Sequence, residues 1–236
     1  MTTATKAMMT AVPTVRRPAN GFPIRIPAPV MTLETFRDWA ISPVFPQHIR
    51  ATFLDEGVFL ELSNEDPETH VNVRDEIVGT LRLFCRKQDL GKLYGDGVLL
   101  THEQASVSNN PDGVFYFWQS LESGRIRLVP REGQEDRYRE LEGTPDWVLE
   151  VVSDSSEEKD TEWLRDAYHR AGIPEYWLVD ARGDEIVFQI LYHRKRGYVA
   201  APINNGWQKS RVFGREFRLT RKRTRRNLWD YTLEMR

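Results

Sequence analysis

The 236-residue chain is long enough for one domain of generous size with a real hydrophobic core, and marginal for two. Its 33 Lys and Arg against 35 Asp and Glu leave a formal charge of −2, so no global basicity announces a polyanion partner and any basic surface must be local. The single cysteine, Cys85, excludes an internal disulfide and any cysteine-based zinc cluster. No apolar run approaches the roughly 20 residues of a membrane helix and the start lacks a signal-peptide stretch, so a cytoplasmic protein with no membrane partner is expected.

Residues 1 to about 30 mix Thr, Ala, Pro and Arg without helical or strand period, which predicts a flexible or extended arm ahead of one domain over 31–236. Thr32 suits the N-cap of a short helix, TLETFRDWA, with Leu33, Phe36 and Trp39 facing inward. ATFLDEGVFLELS reads as a hairpin around an Asp-Glu-Gly turn whose glycine tolerates positive φ. From Thr69 to Leu90, Val73, Ile77, Leu81 and Phe84 recur at the spacing of one helix face, and Gly91 suits the position after its end. Cys85, on the apolar side of that helix, reads as a buried structural thiol. KLYGDGVLL and PDGVFYFW follow as strands, separated by a Ser- and Asn-rich stretch expected to be irregular. IRLVP is a shorter strand, and REGQEDRYRELEG an exposed excursion.

WVLEVV is a strand rich in β-branched residues. Ser155 and Glu158 have the spacing of a capping box, and Trp163, Ala167, Tyr168 and Ala171 form a helical stripe up to Gly172 and Pro174, so the helix should run from about Ser156 to Ala171. EYWLVD and EIVFQILY form a second hairpin, YVAAP a further strand, and the chain closes on the basic REFRLTRKRTRRNLWDYTLEMR. Strands that alternate with two long helices and also pair as hairpins imply an α/β (α+β) fold, a mixed central sheet flanked by helices.

Side chains alternate along PDWVLEVVS, so Trp147, Leu149 and Val151 share one face and Asp146, Val148 and Glu150 the other. Glu150 is thus an acid in the middle of an apolar strand, where an unpaired carboxylate would cost several kcal/mol and a compensating cation, a hydrogen-bond network or protonation is required. Asp112 begins another strand; were the two strands neighbours, both acids would converge at one end of the sheet and supply the hard oxygen ligands that Mg²⁺ or Mn²⁺ prefers. Lys159, in the first turn of the following helix, could stabilise negative charge near the same edge. The bland readings are a hydrogen-bonded strand-start acid for Asp112, a buried salt bridge for Glu150, an exposed helix-start lysine for Lys159 and a turn or capping role for Asp146. The terminal RLTRKRTRR fits either a phosphate backbone or an inert solvated strand.

The blocks NNPDGVFYF, TPDWVLEVVSDSS and AYHRAGIPEYWLVD resemble the PD-(D/E)XK nuclease superfamily and, within it, the Uma2 family of restriction endonucleases, over roughly residues 32 to 200. The resemblance implies a restriction-endonuclease-like fold, Asp112 and Glu150 as metal-binding acids, and the backbone carbonyl of Val151 as a further ligand. It also implies a lysine two residues after the glutamate, where this chain has Val152, or four residues before the helix tyrosine, where it has Leu164. Lys159 is therefore the candidate by proximity. His70 with Val73 fits the family's H-x-x-Ile pattern, and Glu76, one turn on, is a candidate third carboxylate. The expectation is a Mg²⁺- or Mn²⁺-dependent endonuclease acting on DNA, as a homodimer if both strands are cut. The alternatives are a nucleic-acid-binding protein that keeps the fold but has lost cleavage, and an interaction module.

Overall fold

A computed structural model describes residues 24–27, 32–42, 45, 49–61 and 65–236. The expected arm lies mostly outside these residues, but Ile24–Pro27 is a strand, β1, where no regular structure was expected; its backbone pairs antiparallel with residues 57–60. Helix α1, Leu33–Ala40, starts as its sequence predicts: Thr32 and Thr35 form a reciprocal capping box and Phe36 is buried. The predicted hairpin is β2, Arg50–Leu54, with β3, Gly57–Glu61. Its turn differs from expectation, since Asp55 and Glu56 take the positive φ values, 43° and 63°, while Gly57 lies in the strand.

The first long helix begins with a π-helical turn, Pro67–Val71, and continues as α2, Asn72–Gln88. Asp66 caps it, accepting the N–H groups of Glu68 and Thr69. Asp89, in the left-handed region, ends it in place of Gly91. Gly91 instead opens strand β4, Gly91–Gly95, where a Cβ would lie 2.0 Å from the Tyr116 carbonyl oxygen. The close approach of two strands, and not a helix end, requires that glycine.

The Ser/Asn-rich stretch expected to be irregular contains β5, Leu100–His102, and β6, Val107–Asn109. Their polar side chains are buried but satisfied: Thr101 and Ser108 hydroxyls lie 2.8 Å apart and Thr52 donates to Asn109. β7, Gly113–Phe117, runs into a short helix, α3, Trp118–Glu122. The expected excursion is mostly strand: β8, Ile126–Arg131, pairs with β9, Gln134–Gly143. Charge pairing replaces the missing apolar alternation there, with Arg127 on Glu142 and Arg37 of α1 bridging Glu140 and Glu142.

β10, Trp147–Val151, leads to a helix that is π-helical over Lys159–Trp163 before becoming α4, Leu164–Arg170. Just before it, Ser156 Oγ accepts the Ser153 N–H and donates to Asp160. β11, Glu175–Asp180, and β12, Val187–Arg194, make the predicted hairpin, followed by β13, Gly197–Ala200, β14, Ile203–Asn204, and β15, Trp207–Lys209. The basic terminus is a hairpin of β16, Glu216–Arg223, and β17, Trp229–Met235.

The mixed central sheet has the order β13-β12-β11-β10-β7-β4, with β10 and β11 parallel and the other pairs antiparallel. The predicted alternation holds. Trp147, Leu149 and Val151 join one buried cluster with Val73, Ile77 and Leu81 of α2 and Phe217, Tyr231 and Leu233 of the terminal sheet β14-β15-β16-β17. Val148 joins the other, with Leu164, Ala167 and Tyr168 on the α4 side and Leu54, Phe59 and Leu100 from the seven-stranded sheet β1-β3-β2-β6-β5-β9-β8. β10 is therefore covered on both faces, which makes any charge along it costly.

Candidate active site

Asp112 immediately precedes β7 and Glu150 lies near the end of β10. The antiparallel register sets Trp147 opposite Phe115, Val148 opposite Val114 and Leu149 opposite Gly113, so the next rung puts Glu150 beside Asp112. Gly113 allows the approach, since a Cβ there would come within 2.9 Å of the Trp147 ring. Asp112 Oδ2 accepts the Val151 N–H at 2.8 Å, which ties the two strand ends together. Asp112 is 1% exposed and Glu150 2%. Glu150 Oε1 accepts from Asn109 Nδ2 at 3.0 Å and from the Tyr168 hydroxyl of α4 at 2.5 Å.

His70 arrives on the π-helical turn before α2. Its Nε2 lies 3.3 Å from Asp112 Oδ2 and its Nδ1 3.3 Å from Glu65 Oε2. Arg50 of β2 spans the same acids, 3.4 Å from Asp112 Oδ1, 2.7 Å from Asp96 and paired with Glu65. Burial alone would lower the pKa of His70, but the hydrogen bonds and charges of Asp112 and Glu65 outweigh it and carry the imidazole up to about 10. Burial likewise would raise Asp112, and His70, Arg50 and the Val151 N–H override it, holding the carboxyl at about 2.

Lys159 is buried. Its Nζ lies 2.9 Å from Glu61 Oε1 at the end of β3 and 2.9 Å from Asp160 Oδ1. Against the desolvation that would neutralise it, Asp160, Glu61 and Glu150 hold the ammonium well above the ordinary lysine value. Glu150 is pushed well above the ordinary carboxylate range, first by burial and then by Asp160 and Asp112, with Lys159 opposing. Asp160 is raised to about 6 mainly by burial, although Lys159 pulls it down.

These groups line one cavity, with free volume of about 10 Å³, the room of a single water or ion. Asp112, Glu150, Val151, Lys159 and His70 all reach it. Glu76 does not: its carboxylate accepts the Leu233 N–H of β17 at 2.8 Å and the Thr80 hydroxyl, so it secures the terminal hairpin to α2. Asp146 is taken by the Phe117 N–H, the Ser120 hydroxyl and Arg125, the capping role expected for it. Sequence reasoning passed over Arg50, Glu61, Glu65 and Asp160. Glu61 ends an alternating strand as a charge on an inward position, a signal of the same kind as Glu150; Arg50 and Glu65 sit at element ends and carry no such mark.

A family model described as "Putative restriction endonuclease", Uma2, matches residues 33–222. The chain belongs to the Uma2 family. No curated protein matches it. Among solved structures it is similar to "a putative nuclease belonging to DUF820" from Anabaena variabilis ATCC 29413, at 16% identity and a TM-score of 0.56, covering 78% of this chain and 91% of that one. This likeness is one of fold, and it agrees with the mixed sheet flanked by helices. The PDG, PDWVLEV and GIPEYW blocks lie within the matched residues, at β7, β10 and β11.

The side chains of this Uma2 protein fit a divalent cation. Five carboxylates, Glu61, Glu65, Asp112, Glu150 and Asp160, face the cavity against Arg50, Lys159 and the His70 imidazole, itself held charged by Asp112 and Glu65. Glu65, His70 and Asp112 offer ligand atoms within 4.8 Å of one another. The raised Glu150 is a carboxyl short of positive charge, the condition a hard cation relieves.

Proposed function

We propose that the protein is a Mg²⁺-dependent endonuclease that hydrolyses DNA phosphodiester bonds, with Mn²⁺ able to substitute. The observation that carries this reading is the meeting of Asp112, just before β7, with Glu150 of β10 on one rung, with the Lys159 ammonium in the same cavity. Asp112, Glu150 and the Val151 carbonyl would hold the ion, whose chemistry when bound is to polarise the scissile phosphate and acidify a water. Lys159 remains protonated between Glu61 and Asp160, so its part is to stabilise charge on the phosphate and orient the attacking water, and not to accept a proton. Tyr168 and Asn109 fix the rotamer of Glu150, and His70 with Arg50 fixes that of Asp112. Hydrolysis of both strands calls for two such sites, and a homodimer on DNA is the assembly this reading proposes.

The test is plasmid relaxation with Mg²⁺ or Mn²⁺. Asp112→Asn and Glu150→Gln should each lower the cleavage rate by at least about 100-fold, the scale of removing a group that stabilises the transition state. A cleavage rate for Asp112→Asn equal to the parent's would end the reading. A second reading, DNA binding without cleavage, is favoured by Leu164, a buried apolar residue at the family's lysine position. Salt-sensitive binding with no cleavage in either metal would select it.

A further inference from the structure

The cavity makes no use of the most basic part of the chain. Between Arg215 and Arg226 there are seven Arg and Lys and one acid, Glu216. Arg218 is neutralised by Glu234, and Lys222 lies 3.4 Å from Asp230. Arg221, Arg223, Arg225 and Arg226 pair with no carboxylate among the described residues. Two of them are ordered all the same: Arg221 and Arg223 stand 4.0 and 3.6 Å from the Trp229 ring. The turn beyond them, carrying Arg225 and Arg226, is exposed.

The base of this tip is tied to two segments beside the cavity. Arg221 donates to the carbonyls of Ala181 and Asp184 at 2.7 and 2.8 Å. That segment follows β11 at the sheet end where Glu150 faces Leu178 and Val151 faces Val179. On the other side, the Trp229 N–H donates to Glu68 at 2.7 Å, and the Trp229 carbonyl accepts from Asn72 at 3.0 Å. Glu68 lies between Glu65 and His70. An open groove of about 600 Å³ shares Glu65, His70 and Ser153 with the cavity and runs between these same two segments, bounded by Arg182. The hairpin thus holds both walls of the groove. Carboxylates dominate the cavity and the chain's net charge is −2, so the hairpin is where charge complementary to a polyphosphate is concentrated.

We propose that the tip of the β16–β17 hairpin, Lys222 to Arg226, grips the phosphate backbone of duplex DNA beside the cavity. This rests on the nuclease reading of that cavity. The family match ends at residue 222, so the turn carrying Arg225 and Arg226, and β17, lie beyond it.

Binding of a fluorescent 30-base-pair duplex, followed by anisotropy in EDTA across a salt series, tests it. Arg225→Gln with Arg226→Gln should weaken binding about tenfold at 0.1 M salt and reduce the log–log salt slope by about 2, near 0.9 for each phosphate released. Lys195→Gln with Arg196→Gln removes the same charge from the exposed β12–β13 turn, at the opposite end of the sheet, and should change neither. Cleavage at saturating DNA should be unchanged in the tip variant while its KM rises. Equal effects of the two pairs, or loss of binding to anionic vesicles alone, would overturn the grip. Cleavage by the parent with no change in KM for the tip variant rejects the grip and keeps the nuclease; binding that depends on the tip in a parent that never cleaves rejects the nuclease and keeps the grip.

Discussion

Lys159 is the counter-ion of Glu61 and Asp160 and lies in the field of Glu150, so its removal strands three buried acids. Breaking such a set from one side costs about 3–5 kcal/mol. Lys159→Ala should therefore lower the thermal midpoint substantially, and adding Glu61→Gln and Asp160→Asn should restore most of the loss; a lysine of purely local role would show no such recovery in a melt. Asp112 and His70 shape the pH dependence in opposite directions. The Asp112 carboxyl, held at about 2, contributes stability that is complete above its ordinary value of 3.8 and is lost as pH falls through 2. His70, raised to about 10, contributes stability that is complete below 6.5 and is lost as pH rises through 10. Denaturant unfolding across pH should show His70→Gln flattening the alkaline limb; an unchanged limb would remove His70 as its source.

At the scale of elements, the two helices that serve the cavity both carry a π-helical turn near their start, Pro67–Val71 with His70 and Lys159–Trp163 with the lysine. A reading built on the 3.6-residue period finds both helices, from Thr69 and from about Ser156, but gives no sign of their π-helical turns. In the structure Glu76 anchors β17, so Glu76→Ala should leave cleavage unchanged and cost about 1 kcal/mol in urea unfolding, the scale of one lost hydrogen bond. What depends on strand alternation was legible: Glu150 on the face opposite Trp147 and Leu149, and Asp112 at the head of β7. What depends on long-range pairing was not. Glu65 and Arg50 belong to the cavity because β2 and the turn before α2 meet there, and β9 stands as a strand because Arg37, from another element, pays for its acids. On α2, burial raises the Cys85 thiol to about 12, so its alkylation at pH 8 should be slow in the native protein and fast once unfolded. Equal rates would show the helix to be open.

For the whole molecule, three sheets and their helices bring acids from distant parts of the chain together where β7 starts and β10 ends. Trp147 and Trp177, both fully buried, pack edge to face at 5.5 Å between α2 and the terminal sheet, and hold the two layers that fix that end of the sheet. Trp147→Ala should cost about 3–5 kcal/mol and loosen the cavity with the fold. The convergence itself has a direct test, anomalous scattering from crystals soaked in Mn²⁺. The expected result is a peak between the carboxylates of Asp112 and Glu150 that disappears in Glu150→Gln; a peak elsewhere, or none with the cavity open to solvent, would contradict the shared metal site.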